Sequence, residues 1–505
     1  IGAVGYGLPP WEVLGTPEPH GLTSRFWSWR SALTDRIVRA LGAETGGIAA
    51  GLITGDARAI READFNALRA SNLYHIIAIS GEHMVVIAGV IIVSLRLLLL
   101  LLPRGLGLQP RGKSIAAAAT LLLVTVYLFV TGLPMSAVRA YLMIALVLLA
   151  VMLRRQVDGM RSLAIAALLM LLYDPASLLD PGFQLSFAAT LAILAWVEAR
   201  AQTPAALSEQ GWVGKAAHLL LTMLLVSVVA EAATAPLVIA LFNNVSPYGV
   251  LANSLATPLV SLFLMPVVAL FFILLPLGLE SFALTLLHHG ISALLLLARW
   301  VASFPHAQLF APSLPGYGLA LFVLGLLWLC LWRTRVRRWG LVPALLGVAS
   351  LFTLQPPDML MGAGLKQIAL REGEGYALAR GRATSMVPEL WANGLGYVAL
   401  VKAGEPAWRC DALGCVATVK AQRVAFPQDA AALAEDCAHA QLVLSPLAGV
   451  ACDGATPMLS GRALAGGSVV AVWLREGGGA PRIETSRDWQ GVRPWSVGAV
   501  AEDEE

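Results

Sequence analysis

Ten apolar runs between Ile76 and Leu354 constrain this chain more than any other feature of its sequence. Each run is long enough, or nearly long enough, to cross the roughly 30 Å of hydrocarbon in a bilayer. Only 13% of the residues are charged, whereas about a quarter of an ordinary soluble domain is charged. The sequence therefore predicts an all-α polytopic membrane protein. The runs lie at 76–102, 115–133, 137–153, 162–173, 183–198, 216–242, 248–275, 277–300, 316–332 and 338–355.

Breaks in these runs favour a conduit over a plain anchor. The runs at 162–173 and 183–198 are short, which is typical of tilted, re-entrant or half-spanning helices where backbone lines a cavity. Prolines at or inside the runs add further breaks, as in the discontinuous helices of transporters. They are Pro134, Pro175, Pro181, Pro236, Pro258 and Pro266.

Basic residues after the first, third and ninth runs predict the orientation of the chain. With ten crossings these clusters fall on one side, which the positive-inside rule makes cytoplasmic. Both ends of the chain are then expected outside the cytoplasm. The clusters are Arg104, Arg111 and Lys113, then Arg154, Arg155 and Arg161, then Arg333, Arg335, Arg337 and Arg338.

An amphipathic pattern precedes the runs. Phe26, Trp29, Leu33, Ile37 and Leu41 recur at helical spacing, which predicts a helix lying in the membrane interface, with an ordinary soluble helix as the alternative. The stretch is too short and too charged to span. The net charge of +3 is too small for nucleic-acid binding by bulk attraction, so any such binding depends on local residues.

Polar side chains inside the runs are candidates for a functional site, because hydrocarbon makes them costly unless they face protein or water. Ser80, Gly81, Glu82 and His83 begin the first run, and Arg139 lies near the start of the third. The other candidates stand close to prolines. They are Gln184 and Ser186 in the fifth run, Glu231 and Thr234 in the sixth, and Asn253 in the seventh.

These segments resemble the ComEC family, whose members form the inner-membrane DNA-uptake channel of natural competence. The resemblance covers roughly residues 30–330 and is carried by Thr54-Gly55-Asp56, Asn72-Leu73-Tyr74-His75, Ala78-Ile79-Ser80-Gly81-Glu82-His83-Met84 and Gln184-Leu185-Ser186-Phe187. Further pieces are Ser136 before Arg139-Ala140, Thr234 before Pro236, and Asn253 before Pro258. Glu82 departs from the family, which usually has an apolar residue between the Gly and the His.

The resemblance implies a transmembrane channel in the inner (plasma) membrane that imports single-stranded DNA during natural transformation. Its implied partners are single-stranded DNA, a cytoplasmic helicase-like motor, an extracytoplasmic DNA receptor and the lipid bilayer, with a homo-oligomer also to be considered. No cofactor is expected. In that role Arg139 is the first candidate for a phosphate contact and protonated His83 the second. Glu82 and Glu231 are expected to pair with Arg139 or His83.

The residues leave other interpretations open. Gln184, Ser186, Thr234 and Asn253 also fit interhelical hydrogen bonds that only hold the bundle together. Arg139 also fits snorkelling to the interface, and Glu82 with His83 fits a structural pair. Adjacent histidines such as His288-His289 point to different helix faces and do not favour a metal site. The alternative functions are a small-molecule or lipid-linked transporter, or a membrane anchor for an outer partner-binding domain.

Past Pro357 the composition changes to that of a globular domain. Alternating segments predict strands near 367–370, 397–401, 417–420 and 468–474, and a helix near 430–440. Residues 356–505 are therefore predicted to form a strand-rich α+β extracytoplasmic domain. Its 13 basic and 17 acidic residues give a net charge of −4, which does not indicate nonspecific DNA binding.

In the ComEC family this position often holds a metallo-β-lactamase-like nuclease, whose chemistry needs two metal ions held by a histidine-rich set of ligands. His439 is the only histidine after His306, so we expect no enzyme activity and no metal site. Three segments resemble the shortened, degenerate domain of alphaproteobacterial members instead. They are 410–415, 434–438 and 487–495.

Four domains are expected on this basis. Residues 1–20 are the exit of a truncated N-terminal OB-like domain, since an amino-terminal piece is expected to precede Ile1. Residues 21–75 are amphipathic juxtamembrane helices, and 76–355 are the transmembrane competence (channel) domain. Residues 356–505 are the degenerate metallo-β-lactamase-like domain.

Four of the five cysteines lie in this last domain: Cys410, Cys415, Cys437 and Cys452. An even number of cysteines in an extracytoplasmic domain predicts two disulfides, with three connectivities open. A zinc site that adds His439 is the alternative. It is disfavoured because no second close cysteine pair follows Cys410 and Cys415, and because an oxidising compartment removes free thiolates.

Overall fold

The computed structural model describes residues 21–101, 109–156, 158–201, 212–362 and most of 365–488. The predicted exit of an OB-like domain at 1–20 lies outside the described residues. Contacts divide the chain into two compact units, Ile1–Ala233 with Ser246–Gln308 and Thr234–Val245 with Leu309–Glu505. Gaps in the last described range fall at 374, 384, 398–399, 403–407, 446, 448–450, 453–455, 460–468, 476–478 and 487.

Helices build the first unit, and α8 runs on into the second. A π-helical turn at Val260–Leu264 joins α9 directly to α10. The helices are α1 Leu22–Thr54, α2 Glu62–Ala70, α3 Gly81–Leu100, α4 Pro110–Val130, α5 Met135–Leu153, α6 Gly159–Tyr173, α7 Pro181–Ala201, α8 Trp212–Phe242, α9 Gly249–Leu259, α10 Met265–Leu274 and α11 Glu280–Ala302.

Seven of the described helical segments are long and apolar enough to cross a membrane. This confirms the predicted class, a polytopic helical membrane protein. The run predicted to be short at 183–198 belongs to a helix of spanning length, whereas α6, α12 (Gly316–Leu331) and α13 (Leu341–Ala349) are shorter. The seven are Gly81–Leu100, Arg111–Val130, Met135–Leu153, Pro181–Arg200, Ala217–Phe242, Gly249–Leu277 and Glu280–Ala302.

The stretch predicted to lie in the interface is the first half of α1, and the helix reverses at Gly42. Gly42 has φ 74° and ψ −174°, a conformation that only glycine adopts readily. The reversal brings Thr34 Oγ1 within 2.8 Å of Thr54 Oγ1. Residues 45–54 are buried throughout, whereas Trp27 and Trp29 on the first half remain exposed.

In the second unit α12 and α13 pack against each other through glycines. A Cβ on Gly325 would lie 2.4 Å from the backbone N of Ala344, and one on Gly347 would lie 2.5 Å from the backbone O of Gly318. Small residues that let two backbones approach are typical of helix pairs in membranes. The two helices therefore form a tight hairpin.

The remainder of the second unit is strand-rich, as predicted. The short strands β1 (Asn244–Val245) and β2 (Leu309–Phe310) pair with each other. A six-stranded sheet has the order β13-β12-β3-β4-β5-β6, and a five-stranded sheet has the order β11-β10-β9-β8-β7. The elements are β3 Met359–Met361, β4 Ile368–Glu372, β5 Gly375–Arg380, α14 Met386–Leu395, β6 Val401–Lys402, β7 Trp408–Cys410, β8 Gly414–Val419, β9 Gln422–Pro427, α15 Leu433–His439, β10 Leu442–Leu444, β11 Met458–Leu459, β12 Val470–Trp473 and β13 Arg482–Thr485.

Alternation along the strands gives this region four layers. Ile368 and Leu370 of β4 share one core cluster with Val424 and Phe426 of β9, so the two sheets face each other. Side chains at the intervening positions point to the opposite faces. Ala369 packs with Ala392 of α14, on the outer side of the six-stranded sheet. The corresponding residues of the other sheet, Ala425 and Val443, pack with Cys437 of α15.

Two disulfides and an ion pair between a buried aspartate and an exposed lysine tie this region together. The structure pairs Cys410 with Cys415 and Cys437 with Cys452, one of the three connectivities that the sequence left open. Asp358 is fully buried before β3. Its Oδ2 accepts hydrogen bonds from Nζ of Lys420 at 3.0 Å and from the backbone N–H of Leu474 at 2.7 Å. Lys420 belongs to the turn between β8 and β9, so the ion pair joins the two sheets.

Candidate functional site

Helix α3 begins at the Ser80-Gly81-Glu82-His83 turn. Ser80 precedes the helix and forms a capping box with His83, the reciprocal arrangement that satisfies free N–H groups at a helix start. Nδ1 of His83 accepts the backbone N–H of Ser80 at 3.3 Å, so the proton of the neutral ring is on Nε2. Buried His83 thus makes a structural contact that protonation of Nδ1 would remove.

Arg139 is buried near the start of α5, with 6% of its surface exposed, so it does not snorkel to solvent. Its Nε donates to Oγ of Ser186 at 2.7 Å, and Nη1 lies 3.7 Å from Sδ of Met143. The guanidinium carbon lies 5.8 Å from the centre of the Phe187 ring. In the described part of the chain, no carboxylate contacts Arg139. The structure therefore joins two predicted site residues, Arg139 and Ser186.

Gly81 lets this guanidinium approach the first turn of α3. A Cβ on Gly81 would lie 2.7 Å from Nη2 of Arg139, closer than real Cβ contacts. A helix N-terminus carries a partial positive charge and free N–H groups, which favour anions. A guanidinium beside it adds a full charge and hydrogen-bond donors suited to phosphate. The pair Arg139 and α3 N-terminus is thus an arrangement that attracts an anion.

The start of α7 fixes the Ser186 side of this arrangement. Oδ1 of Asp180 accepts the backbone N–H of Phe183 at 3.0 Å, which caps the helix. Nε2 of Gln184 donates to the backbone O of Leu178 at 3.0 Å. Gln184 therefore holds the preceding turn rather than contacting Arg139. Ser136 secures α5 in turn, because its hydroxyl donates to the backbone O of Ile79 at 2.7 Å.

Glu82 accepts a hydrogen bond from Ser261. Ser261 belongs to the π-helical turn between α9 and α10, and such turns occur frequently at functional sites. Ser261 was not among the predicted site residues, although Pro258 and Pro266 on either side of it mark a break in that run. The contact fastens the first turn of α3 to the irregular turn.

Glu231 belongs to a separate cluster. Nδ2 of Asn72 donates to both carboxylate oxygens of Glu231 at 3.0 Å. A Cβ on Gly249, the first residue of α9, would lie 2.9 Å from Oε1 of Glu231. The carboxylate thus lies at a helix N-terminus, where negative charge is favourable. Thr234 lies one turn further along α8. Asn253 lies one turn into α9, and its buried Oδ1 has no hydrogen-bond partner among the described residues.

These contacts correct one expectation. Glu82 and Glu231 were expected to pair with Arg139 or His83, and this is wrong for the contacts the structure describes. The two carboxylates bond to Ser261 and Asn72 instead. The local reason is that Nδ1 of His83 is hydrogen-bonded to the N–H of Ser80, and that the guanidinium of Arg139 lies against the α3 backbone at Gly81.

Arg30 makes a further contact that the sequence did not predict. Its Nε lies 2.8 Å from the backbone O of Val130, and its Nη2 lies 2.7 Å from the backbone O of Thr54. These carbonyls end α4 and α1, where the helix dipole is negative. The close approach needs Gly132, because a Cβ there would lie 2.9 Å from Arg30 Nη2. Burial lowers the pKa of Arg30, and nearby Asp56 opposes that shift.

Two carboxylates and two arginines join α1, α2 and α11. The buried carboxylate of Asp64 forms ion pairs with Nε of Arg61 and Nη2 of Arg299, each at 2.7 Å. Oε1 of Glu44 forms ion pairs with Nη2 of the same two arginines, at 3.2 Å for Arg61 and 2.9 Å for Arg299. Burial would raise the pKa of Asp64, but its bonds to Arg61 and Arg299 outweigh burial and lower it. The bond from Arg299 and the charge of Arg61 also lower the pKa of Glu44.

His288 also makes a structural contact. Nδ1 of His288 lies 3.0 Å from Oγ1 of Thr45, which links α11 to the buried half of α1. In the described ranges there is no group of three or more His, Cys, Asp or Glu residues able to hold a metal ion.

Comparisons with known proteins bear on this site. A family model described as Competence protein matches residues 52–336. The curated ComE operon protein 3 of Bacillus subtilis (strain 168) is 23% identical over 256 residues, 50% of this chain and 30% of that protein. The chain thus spans less than a third of the length of the relative it matches. No solved structure matches the chain. The family match includes every predicted site residue from Ser80 to Asn253.

Proposed function

Because the chain belongs to the ComEC family of competence proteins, we propose that it is an inner-membrane channel that imports single-stranded DNA during natural transformation. The observation that carries the proposal is the buried guanidinium of Arg139, which lies against Gly81 and has no described carboxylate partner. A strand that crosses a bilayer needs cationic groups and hydrogen-bond donors for its phosphates. Isolated charges inside a membrane protein mark such pathways.

In this proposal a phosphate oxygen binds where Arg139 meets the first turn of α3. The guanidinium donates to it, and the N–H groups of the turn that the capping box does not engage complete the contact. Ser186 keeps the guanidinium oriented through the 2.7 Å bond to Nε. The capping box of Ser80 and His83 holds the turn itself. Discontinuous helices whose N-termini point at an anionic cargo are a known transport arrangement.

Glu82 has a different task, because a carboxylate repels phosphate. Its bond to Ser261 holds it toward the π-helical turn. We assign Glu82 to the junction between α3 and the α9–α10 segment. There the bond to Ser261 keeps the Glu82 carboxylate directed away from the Arg139 contact. Glu231 has the equivalent task at the start of α9.

The remaining parts of the proposal follow from the family. The chain has no nuclease activity of its own, since His439 is its only histidine after His306. With α6, α12 and α13 crossing the membrane as well as the seven longer segments, both ends of the chain lie outside the cytoplasm. A cytoplasmic helicase-like motor and an extracytoplasmic DNA receptor work with the channel. The second unit contains the degenerate metallo-β-lactamase-like domain.

Uptake of labelled DNA into the cytoplasm tests the proposal. Cells whose own copy is deleted receive this chain, an Arg139→Ala variant or an Arg139→Lys variant at matched membrane levels. Loss of a charge-assisted hydrogen bond of about 1.5–3 kcal/mol predicts roughly ten- to a hundredfold less uptake for Arg139→Ala. Lysine keeps the charge but not the planar donor set, so Arg139→Lys retains part of the uptake.

The matched control is Arg161→Ala, which removes an exposed arginine at the start of α6. It is expected to leave uptake unchanged. Equal uptake by Arg139→Ala and the unaltered chain would refute the role of Arg139 in the channel.

The alternative functions lack a specific supporting observation. A small-molecule or lipid-linked transporter would be favoured by a closed pocket formed by Glu82, His83 and Glu231. The structure describes separate hydrogen bonds of these residues to Ser261, Ser80 and Asn72. An anchor for an outer partner predicts that Arg139 is dispensable, which the uptake measurement decides.

A further inference from the structure

Helix α14 of the second unit exposes an apolar pair on one side. Met386 and Leu390, one turn apart, have 73% and 60% of their surface exposed. Pro388 and Ala392 on the opposite side are buried, and Ala392 packs on the six-stranded sheet. One face of the helix therefore packs on the sheet, and the opposite face exposes apolar side chains.

Exposed basic residues gather at the start of α14. Arg380 ends β5 and pairs in register with Ile368 of β4. A Cβ on Gly381 would lie 3.1 Å from Cγ of Gln367, so Lys366 is close to Arg380 and Arg382. These three basic side chains are exposed. The hydroxyl of Ser385, which precedes α14, donates to the backbone O of Arg382 at 2.7 Å. The only acidic residue of α14 is Glu389.

The other end of α14 lies next to the hairpin of α12 and α13. The backbone O of Gly394 accepts the N–H of Ser313 at 3.3 Å, and Gly396 packs on Pro312. Ser313 stands three residues before α12, and Leu390 is about 6 Å along the axis of α14 from Gly394. The exposed apolar pair is therefore close to the start of α12.

Exposed aromatic residues lie at both ends of the hairpin of α12 and α13. Exposed Tyr317 at the start of α12 contacts Thr353, and Phe352 beside it is exposed too. Exposed Trp332 and Trp339 lie at the opposite end of the hairpin, with the arginines of the 333–338 turn. Belts of Trp and Tyr at both ends are typical of membrane helices, and arginine-rich turns lie on the cytoplasmic side.

We propose that α14 docks on the bilayer surface. Met386 and Leu390 enter the boundary between headgroups and acyl chains, and Lys366, Arg380 and Arg382 contact anionic headgroups. An exposed apolar pair with flanking basic residues, held near the end of a membrane helix, is what an interfacial helix requires. This docking is independent of DNA transport, and it fixes the orientation of the second unit relative to the lipid surface.

Quenching of an environment-sensitive fluorophore tests the docking. The full chain is reconstituted in vesicles of neutral and anionic phospholipids, with the fluorophore on Leu390→Cys or Met386→Cys. The control carries it on Thr418→Cys, an exposed position of β8 in the other sheet. Lipid nitroxides are expected to quench at 386 and 390 but not at 418, and aqueous iodide is expected to do the reverse.

The basic residues are tested in the same vesicles. Each of Arg380→Gln and Arg382→Gln is expected to lower the ratio of docked to undocked helix about fivefold, since one basic residue contributes about 1 kcal/mol near an anionic surface. Iodide quenching at 390 equal to that at 418, without lipid quenching, would overturn the proposal. Protection of position 390 from both quenchers would also overturn it, because a protein surface would then cover the helix.

Discussion

Two arginines in the first unit meet helix ends of opposite sign. Arg30 contacts the carbonyls of Thr54 and Val130 at the ends of α1 and α4. Arg139 contacts the first turn of α3 beside Gly81. A cation stabilises a helix C-terminus and destabilises a helix N-terminus. Arg30 is therefore suited to holding the fold, and Arg139 to holding a ligand.

Arg30 and Arg139 are residues of the same type, one with a structural role and one suited to binding a ligand. Both arginines need a glycine neighbour, Gly132 for Arg30 and Gly81 for Arg139, so close approach alone does not distinguish them. What distinguishes them is the set of hydrogen-bond acceptors that each guanidinium contacts. Arg30 donates to two backbone carbonyls, whereas Arg139 donates to one hydroxyl and lies near one sulfur atom.

Replacing Arg30 is expected to have the largest effect on stability. Arg30→Met leaves the carbonyls of Thr54 and Val130 without their charged donor, which costs about 3 kcal/mol of unfolding free energy. Unfolding of the purified full chain in detergent measures this loss. The control is Arg25→Met, which removes an exposed arginine of the same helix. Equal stability of the two variants would remove the distinction between the arginines.

Gly81→Ala is expected to cost about 1 kcal/mol, because the added methyl group overlaps Nη2 of Arg139, which lies at the end of a flexible side chain and can shift. The double variant Gly81→Ala with Arg139→Ala is expected to recover most of that loss, since the overlap is gone. A double-variant cycle of unfolding free energies measures the coupling. Purely additive effects would show that Gly81 and Arg139 do not contact each other.

Arg139→Met is expected to leave stability unchanged or to raise it by about 1 kcal/mol. The substitution removes an uncompensated positive charge from a helix N-terminus and keeps most of the buried volume. The same unfolding measurement applies. A loss as large as that of Arg30→Met would mean that Arg139 supports the fold, and its role as a ligand group would fail.

The smallest expected effect concerns the ion pairs of Arg61 and Arg299 with Asp64 and Glu44. The lowered pKa values of Asp64 and Glu44 mean that their contribution to stability is present above the unfolded pKa of about 4. It is lost as pH falls through the lower folded values. The thermal midpoint of the full chain between pH 6 and pH 3 is therefore expected to fall less in an Asp64→Asn, Glu44→Gln double variant. An unchanged pH profile would contradict the network.

The sequence places the first apolar run at 76–102, five residues before α3 begins at Gly81, because the apolar residues that precede Ser80 continue the run without a break. It also predicts the class of both regions, since long apolar runs and alternating strands are local signals. The reversal at Gly42 was missed because helical spacing continues on both sides of it. The contacts of Arg30 and Ser261 were missed because they join residues up to 179 positions apart. Pairing of the cysteines needed the register of β7 and β8.

Crosslinking of incoming DNA tests the role of Arg139 most directly. A photoreactive phenylalanine analogue replaces Phe187, whose ring lies beside the Arg139 guanidinium, in cells that take up labelled DNA. The control position is Phe282, an exposed residue of α11. We predict a DNA adduct at position 187 that Arg139→Ala abolishes, and none at position 282. Uptake that proceeds with no adduct at 187, or with equal adducts at both positions, would contradict a strand path at Arg139.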